Sequence, residues 1–238
     1  MKKEERKDIL LRARKFFKEK IAENHIKNTK KLSSLDIFNV NPFLVKYLAN
    51  FAFGEATSEN IARALIYPRI LGTSINTSFG SLLQIFCNEI LTGYASVIPG
   101  LDIEFIDSID GRKKYCQVKA GPNTINKDDV KTILDHFKDI KNIARTNRQT
   151  DINPSIDCIV GVFYGEQTKL STFYKRISQD YSVIVGQEFW HHLTGDENFY
   201  FDLANAFAEV AVEMDSRKLI EDTVQKLAFE IEQRNRIM

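Results

Sequence analysis

Apolar residues recur at helical spacing in the first third of the chain. Ile9, Leu10, Ala13, Phe16, Phe17 and Ile21 mark one face of a segment otherwise rich in Lys, Arg and Glu, which predicts a long helix over residues 4–31. Asn41-Pro42-Phe43 breaks the chain. Helical stretches follow at about 43–52 and from Ser58 to Tyr67, with Pro68 ending or kinking the second. Gly72 to Gly80 is polar, small and bounded by glycines, and reads as a loop. It either caps the next helix or offers Ser/Thr/Asn side chains and backbone N–H groups to a phosphate. A strongly apolar helix is expected at 80–92, in the middle of the core.

The period then changes. Two β-like runs, 101–109 and 113–119, flank Asp110-Gly111, and Asp-Gly between alternating apolar residues signals a hairpin. With Asp110 and Gly111 as the two turn residues, Ile109 faces Arg112, Ile106 faces Tyr115, Glu104 faces Gln117 and Asp102 faces Lys119. Asp102, Glu104, Ile106, Tyr115, Gln117 and Lys119 share one face, and Ile103, Phe105, Cys116 and Val118 fill the other. Asp107 and Lys114 are expected near solvent at the turn. Asn126 reads as the N-cap of a helix over 127–145 whose Val130, Ile133, Leu134, Phe137 and Ile140 form one stripe. A buried strand at 156–164, a short one near 182–185, and helices at 187–193 and 203–237 complete the pattern. The expected architecture is α/β (α+β): a central mixed sheet flanked by helices, with additional N- and C-terminal helices. Its expected divisions are an N-terminal helical region at 1–70, a core at 71–200 and a C-terminal helix at 201–238.

Composition adds limits. A chain of 238 residues, 43% hydrophobic and 27% charged, can bury a sizeable core. It has no apolar run of membrane-span length. Cys87, Cys116 and Cys158 are odd in number and set among apolar residues, which points to reduced, buried thiols and a cytoplasmic location. No CxxC or paired His/Cys spacing suggests structural zinc. The formal net charge of +1 gives no global basic signature, although a cleft can be basic while other surfaces are acidic.

The hairpin carries the candidate chemistry. Its polar face is either simply solvated or a site. As a site, Asp102 and the Gln117 carbonyl oxygen suit a hard divalent cation such as Mg²⁺, with Mn²⁺ able to substitute. The Val118 backbone carbonyl is placed to help, and Lys119 can orient an attacking water and stabilise a phosphorane-like transition state. The strands lie between very apolar helices, where several polar residues on one face need a reason.

Pro99-Gly-Leu-Asp102, followed fifteen residues after the aspartate by Gln117-Val-Lys119, resembles the PD-(D/E)xK nuclease superfamily. Asn41-Pro-Phe43, Pro68-Arg-Ile-Leu-Gly72, Phe79-Gly80, Asp110-Gly-Arg112, Lys119-Ala-Gly121 and Gly161-Val-Phe-Tyr-Gly165 extend the likeness over about 39–215. They resemble the type II restriction endonucleases related to the enterobacterial enzyme that cuts an interrupted GG-N-CC core. The resemblance implies a Mg²⁺-dependent homodimer that cleaves double-stranded DNA at a short palindrome, with Asp102, Gln117 and Lys119 catalytic. Gln117 departs from the family's usual carboxylate and leaves the metal site one negative charge short, a deficit that Glu104 or Glu89 is positioned to make up. After the lysine, Asn123, Thr124, Asn126 and Lys127 lead into a helix N-terminus and are candidate DNA contacts, against the plainer reading of a turn and a cap. Lys169, Lys175 and Arg176 are a weaker candidate surface, read first as a solvated helix face. A structure-specific or repair nuclease, and a DNA-binding protein that has lost catalysis, are the competing functions.

Overall fold

The computed structural model describes residues 3–90, 96, 98–146 and 152–234. The chain packs as two units: one takes residues 1–14 and 80–206, the other 15–79 and 207–238. Most of both chain ends therefore share a unit, which the expected divisions at 70 and 200 had kept apart.

The first of these units holds the sheet. Strands β1 (Ile103–Ile106), β2 (Lys113–Lys119), β3 (Cys158–Val162) and β4 (Ser182–Val185) lie in the order β1-β2-β3-β4. β1 runs antiparallel to β2, and β2, β3 and β4 run parallel. Between β2 and β3 come α6 (Lys127–Thr146) and the short α7 (Pro154–Asp157); between β3 and β4 comes α8 (Thr172–Ile177). Val130, Ile133, Phe137 and Ile140 of α6 and Tyr174 and Ile177 of α8 form one core with Tyr115, Cys158, Val160, Val162, Val183 and Val185. The other face of the sheet buries Ile103, Phe105, Cys116, Val118 and Ile159. There Phe189 of α9 (Gln187–Thr194) approaches so closely that a Cβ at Gly161 would stand 2.3 Å from its ring. Beside it the Trp190 Nε1–H donates to the Phe163 carbonyl at 3.0 Å. Both sheet faces are thus covered, so the polar positions of β2 are not a solvated face. All three cysteines are free and buried, and burial pushes the Cys158 thiol up to about 12.

Two features of the hairpin differ from expectation. β1 is shorter than the 101–109 run, and Ile103 pairs with Cys116, Glu104 with Tyr115 and Ile106 with Lys113. The register is displaced by two residues because the turn holds four residues, Ser108–Gly111, rather than Asp110-Gly111 alone. Asp107 N–H donates to Arg112 O and Gly111 N–H to Asp107 O, both at 2.9 Å, with Gly111 at φ +70°. Glu104 therefore faces Tyr115, not Gln117. Since side chains alternate with a period of two, a two-residue displacement leaves every residue on its expected face. Asp107 and Lys114 are buried, not near solvent. Asp107 is held by His192 Nδ1 at 2.7 Å and the Ile109 N–H at 2.9 Å, and Lys114 Nζ donates to Asp110 at 2.5 Å.

The second unit is helical. Its core joins Val45 and Ala49 of α3 (Pro42–Phe53), Ile61, Ala62 and Ile66 of α4 (Ser58–Pro68) and Val224, Leu227, Ala228 and Ile231 of α11 (Arg217–Arg234). Helix runs through residues 3–31 as α1 (Lys3–Phe16), a π segment (Phe17–Ala22) and α2 (Glu23–Lys31). The 72–80 loop is not formed: after Pro68 a π segment (Arg69–Thr73) passes directly into α5 (Ser74–Ile90). Apolar residues on both sides of the glycines hold this stretch in helix, overriding the local loop composition. The expected 203–237 helix is two, α10 (Phe199–Met214) and α11, separated at Asp215, whose φ of +23° is incompatible with helix. No helix among the described residues is long and apolar enough to cross a membrane.

Candidate active site

Pro99-Gly100 makes a tight turn, closed by the Leu101 N–H on Ile98 O at 3.2 Å, with Gly100 at φ +85°. Proline followed by a positive-φ glycine is the type II pattern. Leu101 is buried behind the turn, and Asp102 emerges just before β1. Its N–H donates to Cys116 O at 3.1 Å, and its Oδ2 accepts the Val118 N–H at 2.7 Å. Burial raises the Asp102 pKa above its ordinary value; the Val118 N–H, Lys119 and His136 oppose the shift without cancelling it. Oδ1 has no partner among the described residues.

Gln117 is buried in β2, 4% exposed. Its Nε2 donates to the Gly100 carbonyl oxygen and lies 2.5 Å from His136 Nδ1 on α6. The amide nitrogen thus meets two neighbours, while the carbonyl oxygen Oε1 has no partner among the described residues. Lys119 ends β2, half-buried, and forms no ion pair among the described residues. Its backbone carbonyl accepts the Phe163 N–H at 2.8 Å, tying the strand end to β3. Asp102, Gln117 and Lys119 thus come together at one end of the hairpin, with Val118 joined to them through its N–H.

The two acids considered as substitutes for the missing charge differ. Glu104 accepts from Lys113 Nζ at 2.7 Å and Ser96 Oγ at 2.6 Å, and is engaged with these donors. Glu89 is exposed on α5. Among the described residues no group of three His, Cys, Asp or Glu side chains is arranged to hold a metal. A cation here would rest on a mixed set of carboxylate, amide and backbone oxygens, which suits a hard ion.

Past Lys119, Gly121 has no room for a side chain: a Cβ would stand 2.5 Å from the Tyr164 ring. The buried Tyr174 hydroxyl donates to Gly121 O at 3.0 Å, and burial pushes its pKa up to about 12. Asn126 caps α6, its Oδ1 accepting the Asp128 and Asp129 N–H groups at 2.7 and 3.0 Å while Asp129 returns a bond to Asn126 N–H at 2.8 Å. Thr124 Oγ1 donates to Gly121 O at 2.9 Å. Asn123 and Lys127 are exposed beside them, as are Lys169, Lys175 and Arg176 elsewhere on the unit.

His136 is absent from the sequence reading. Its signal was the helical stripe: position 136 falls between Ile133 and Ile140 on the face of α6 that packs on the sheet. A polar residue on that face is well placed to meet the polar face of β2.

The family model for the type II restriction endonuclease EcoO109I matches residues 12–215. No curated protein matches the chain.

Proposed function

We propose that this chain, which belongs to the type II restriction endonuclease EcoO109I family, is a Mg²⁺-dependent homodimer that cuts duplex DNA at one short palindromic, GG-N-CC-like site. The observation that carries the catalytic assignment is that Asp102 Oδ1 and Gln117 Oε1 have no hydrogen-bond partner among the described residues, beside Lys119, which forms no ion pair among them. With the Val118 carbonyl they form the donor set for the cation, and Mn²⁺ suits the same set. A bound divalent ion supplies Lewis-acid polarisation of the scissile phosphate and a more acidic water. Lys119 contributes a charge held close to Asp102, which steadies negative charge developing on the phosphoryl oxygens. The Val118 N–H holds one Asp102 carboxylate oxygen and leaves the other for the cation. Asn123 and Lys127 supply exposed donors at the start of α6 for DNA, and Thr124 and Asn126 hold that segment in shape.

Self-association is supported by α3. Phe43, Leu44, Tyr47, Leu48 and Phe51 fall on one helical stripe, with Phe43 88% and Phe51 78% exposed. An apolar stripe of that size favours burial against a second copy, and a two-fold dimer is what reading a palindrome requires.

Digestion of plasmid DNA with Mg²⁺, followed by sequencing of the fragment ends, tests this function. Discrete fragments with a common end sequence are expected, and Asp102→Ala and Lys119→Ala should lose cleavage by a factor of at least ~10³ while still binding DNA. The amide at 117 favours a second reading, a DNA-binding protein without catalysis. Tight binding with no cut in Mg²⁺ or Mn²⁺ would establish that reading, and preference for branched DNA would point to a structure-specific nuclease.

A further inference from the structure

A carboxylate is symmetric: half a turn about its last bond exchanges two equivalent oxygens. An amide is not, because one orientation offers a cation an oxygen and the other an NH₂ group with no lone pair to give. A glutamine used as a cation ligand therefore needs something to decide which way it faces. We propose that His136 is a positioning residue that, with the Gly100 carbonyl, locks the Gln117 amide with Oε1 toward the cation.

Three observations converge on this. Nε2 donates to the Gly100 carbonyl oxygen, a group that only accepts, so the reversed amide would set oxygen against oxygen. Nε2 also lies 2.5 Å from His136 Nδ1, which accepts its second hydrogen when that ring nitrogen carries no proton. The ring and the carbonyl also arrive as a unit: a Cβ on Gly100 would stand 2.6 Å from the His136 ring, and the φ of +85° there suits only glycine. The turn that delivers Asp102 thus also carries the acceptor that orients Gln117. The inference rests on Gln117 being a cation ligand, and the experiment separates the two claims.

Mn²⁺ is titrated into the full-length protein, with free Mn²⁺ read by its electron paramagnetic resonance signal and folding checked by thermal melting. Gln117→Ala should lose most of the affinity. His136→Leu should weaken it by about 10- to 100-fold, the usual effect of removing a group that orients a ligand. In a Gln117→Glu background the same His136→Leu change should have no effect, because a carboxylate needs no orienting. Wild-type affinity in Gln117→Ala overturns the ligand assignment itself. Loss in Gln117→Ala with wild-type affinity in His136→Leu overturns the lock alone, as does an equal loss from His136→Leu in both backgrounds. Where His136→Leu does not fold, the wild-type chain decides by NMR. Slowly exchanging Gln117 Nε2 hydrogens with contacts to the His136 ring support the lock, and fast exchange without them overturns it.

Discussion

Gly161, in the middle of β3, is filled by its neighbour: the Phe189 ring occupies the place of a side chain. Gly161→Ala should cost about 1–3 kcal/mol, read from urea unfolding midpoints, since both sheet and ring are packed and neither can yield freely. The same close approach recurs at Gly100 and Gly121, one before Asp102 and one after Lys119, so the candidate site is framed by residues with no room for a side chain. The shared face of Asp102, Gln117 and Lys119 was legible because parity is a robust signal. An error of two in the register changed their partners without changing their face. His136 was not legible as part of the site, since nothing in the strand pattern says which helical residue will lie over it. The engagement of Glu104 by Lys113 and Ser96 was hidden for a related reason: the true pairing put Tyr115, not Gln117, across from it.

The hairpin is an element fixed at both ends. At its turn Arg112 binds Asp157 of α7 through two 2.6 Å bonds, and the Asn153 N–H adds a third to the same carboxylate. Burial raises the Asp157 pKa, but Arg112, the Asn153 N–H and Lys114 outweigh it, and the net shift is downward. A carboxylate with a depressed folded pKa stabilises the fold above its unfolded pKa, and that contribution is lost as pH falls through the folded value. Asp157→Asn should therefore cost about 1–2 kcal/mol at neutral pH, a figure held down by the partly exposed Arg112. The gap to wild type should close as denaturation is repeated down through and below the ordinary carboxylate range. A gap constant with pH would mean that the ion pair is not its source. The four-residue turn escaped the sequence because Asp-Gly is a strong local cue. The competing demand, the burial of Asp107 against His192 and Lys114, involves residues far apart in the chain. The 72–80 stretch failed likewise, its loop-like composition overruled by helix on both sides.

On the scale of the molecule, α3 presents its apolar stripe within the helical unit. Replacing both Phe43 and Phe51 by Asp should convert the proposed dimer to a monomer in light scattering coupled to size exclusion, with the chain still folded because neither side chain is buried. A dimer that survives both changes would place the interface elsewhere. Most of the helices, the hairpin and the mixed sheet were accessible from hydrophobic period and turn residues; the order of the strands and the assignment of chain segments to units were not, since period says which face is buried but not against what.

That assignment bears on how the protein is made. Arg6 of α1 pairs with Asp196 and Asp202, partners 190 and 196 residues further along the chain. The helix that carries Arg6 is thus made long before its partners, and closes onto them only when nearly all of the sheet-bearing unit is present. Contacts of such long range are slow to form, so the first helix spends most of synthesis without its partners. The sheet-bearing unit is therefore closed only once Asp196 and Asp202 have been made, and a chain cut short of them lacks one side of that closure.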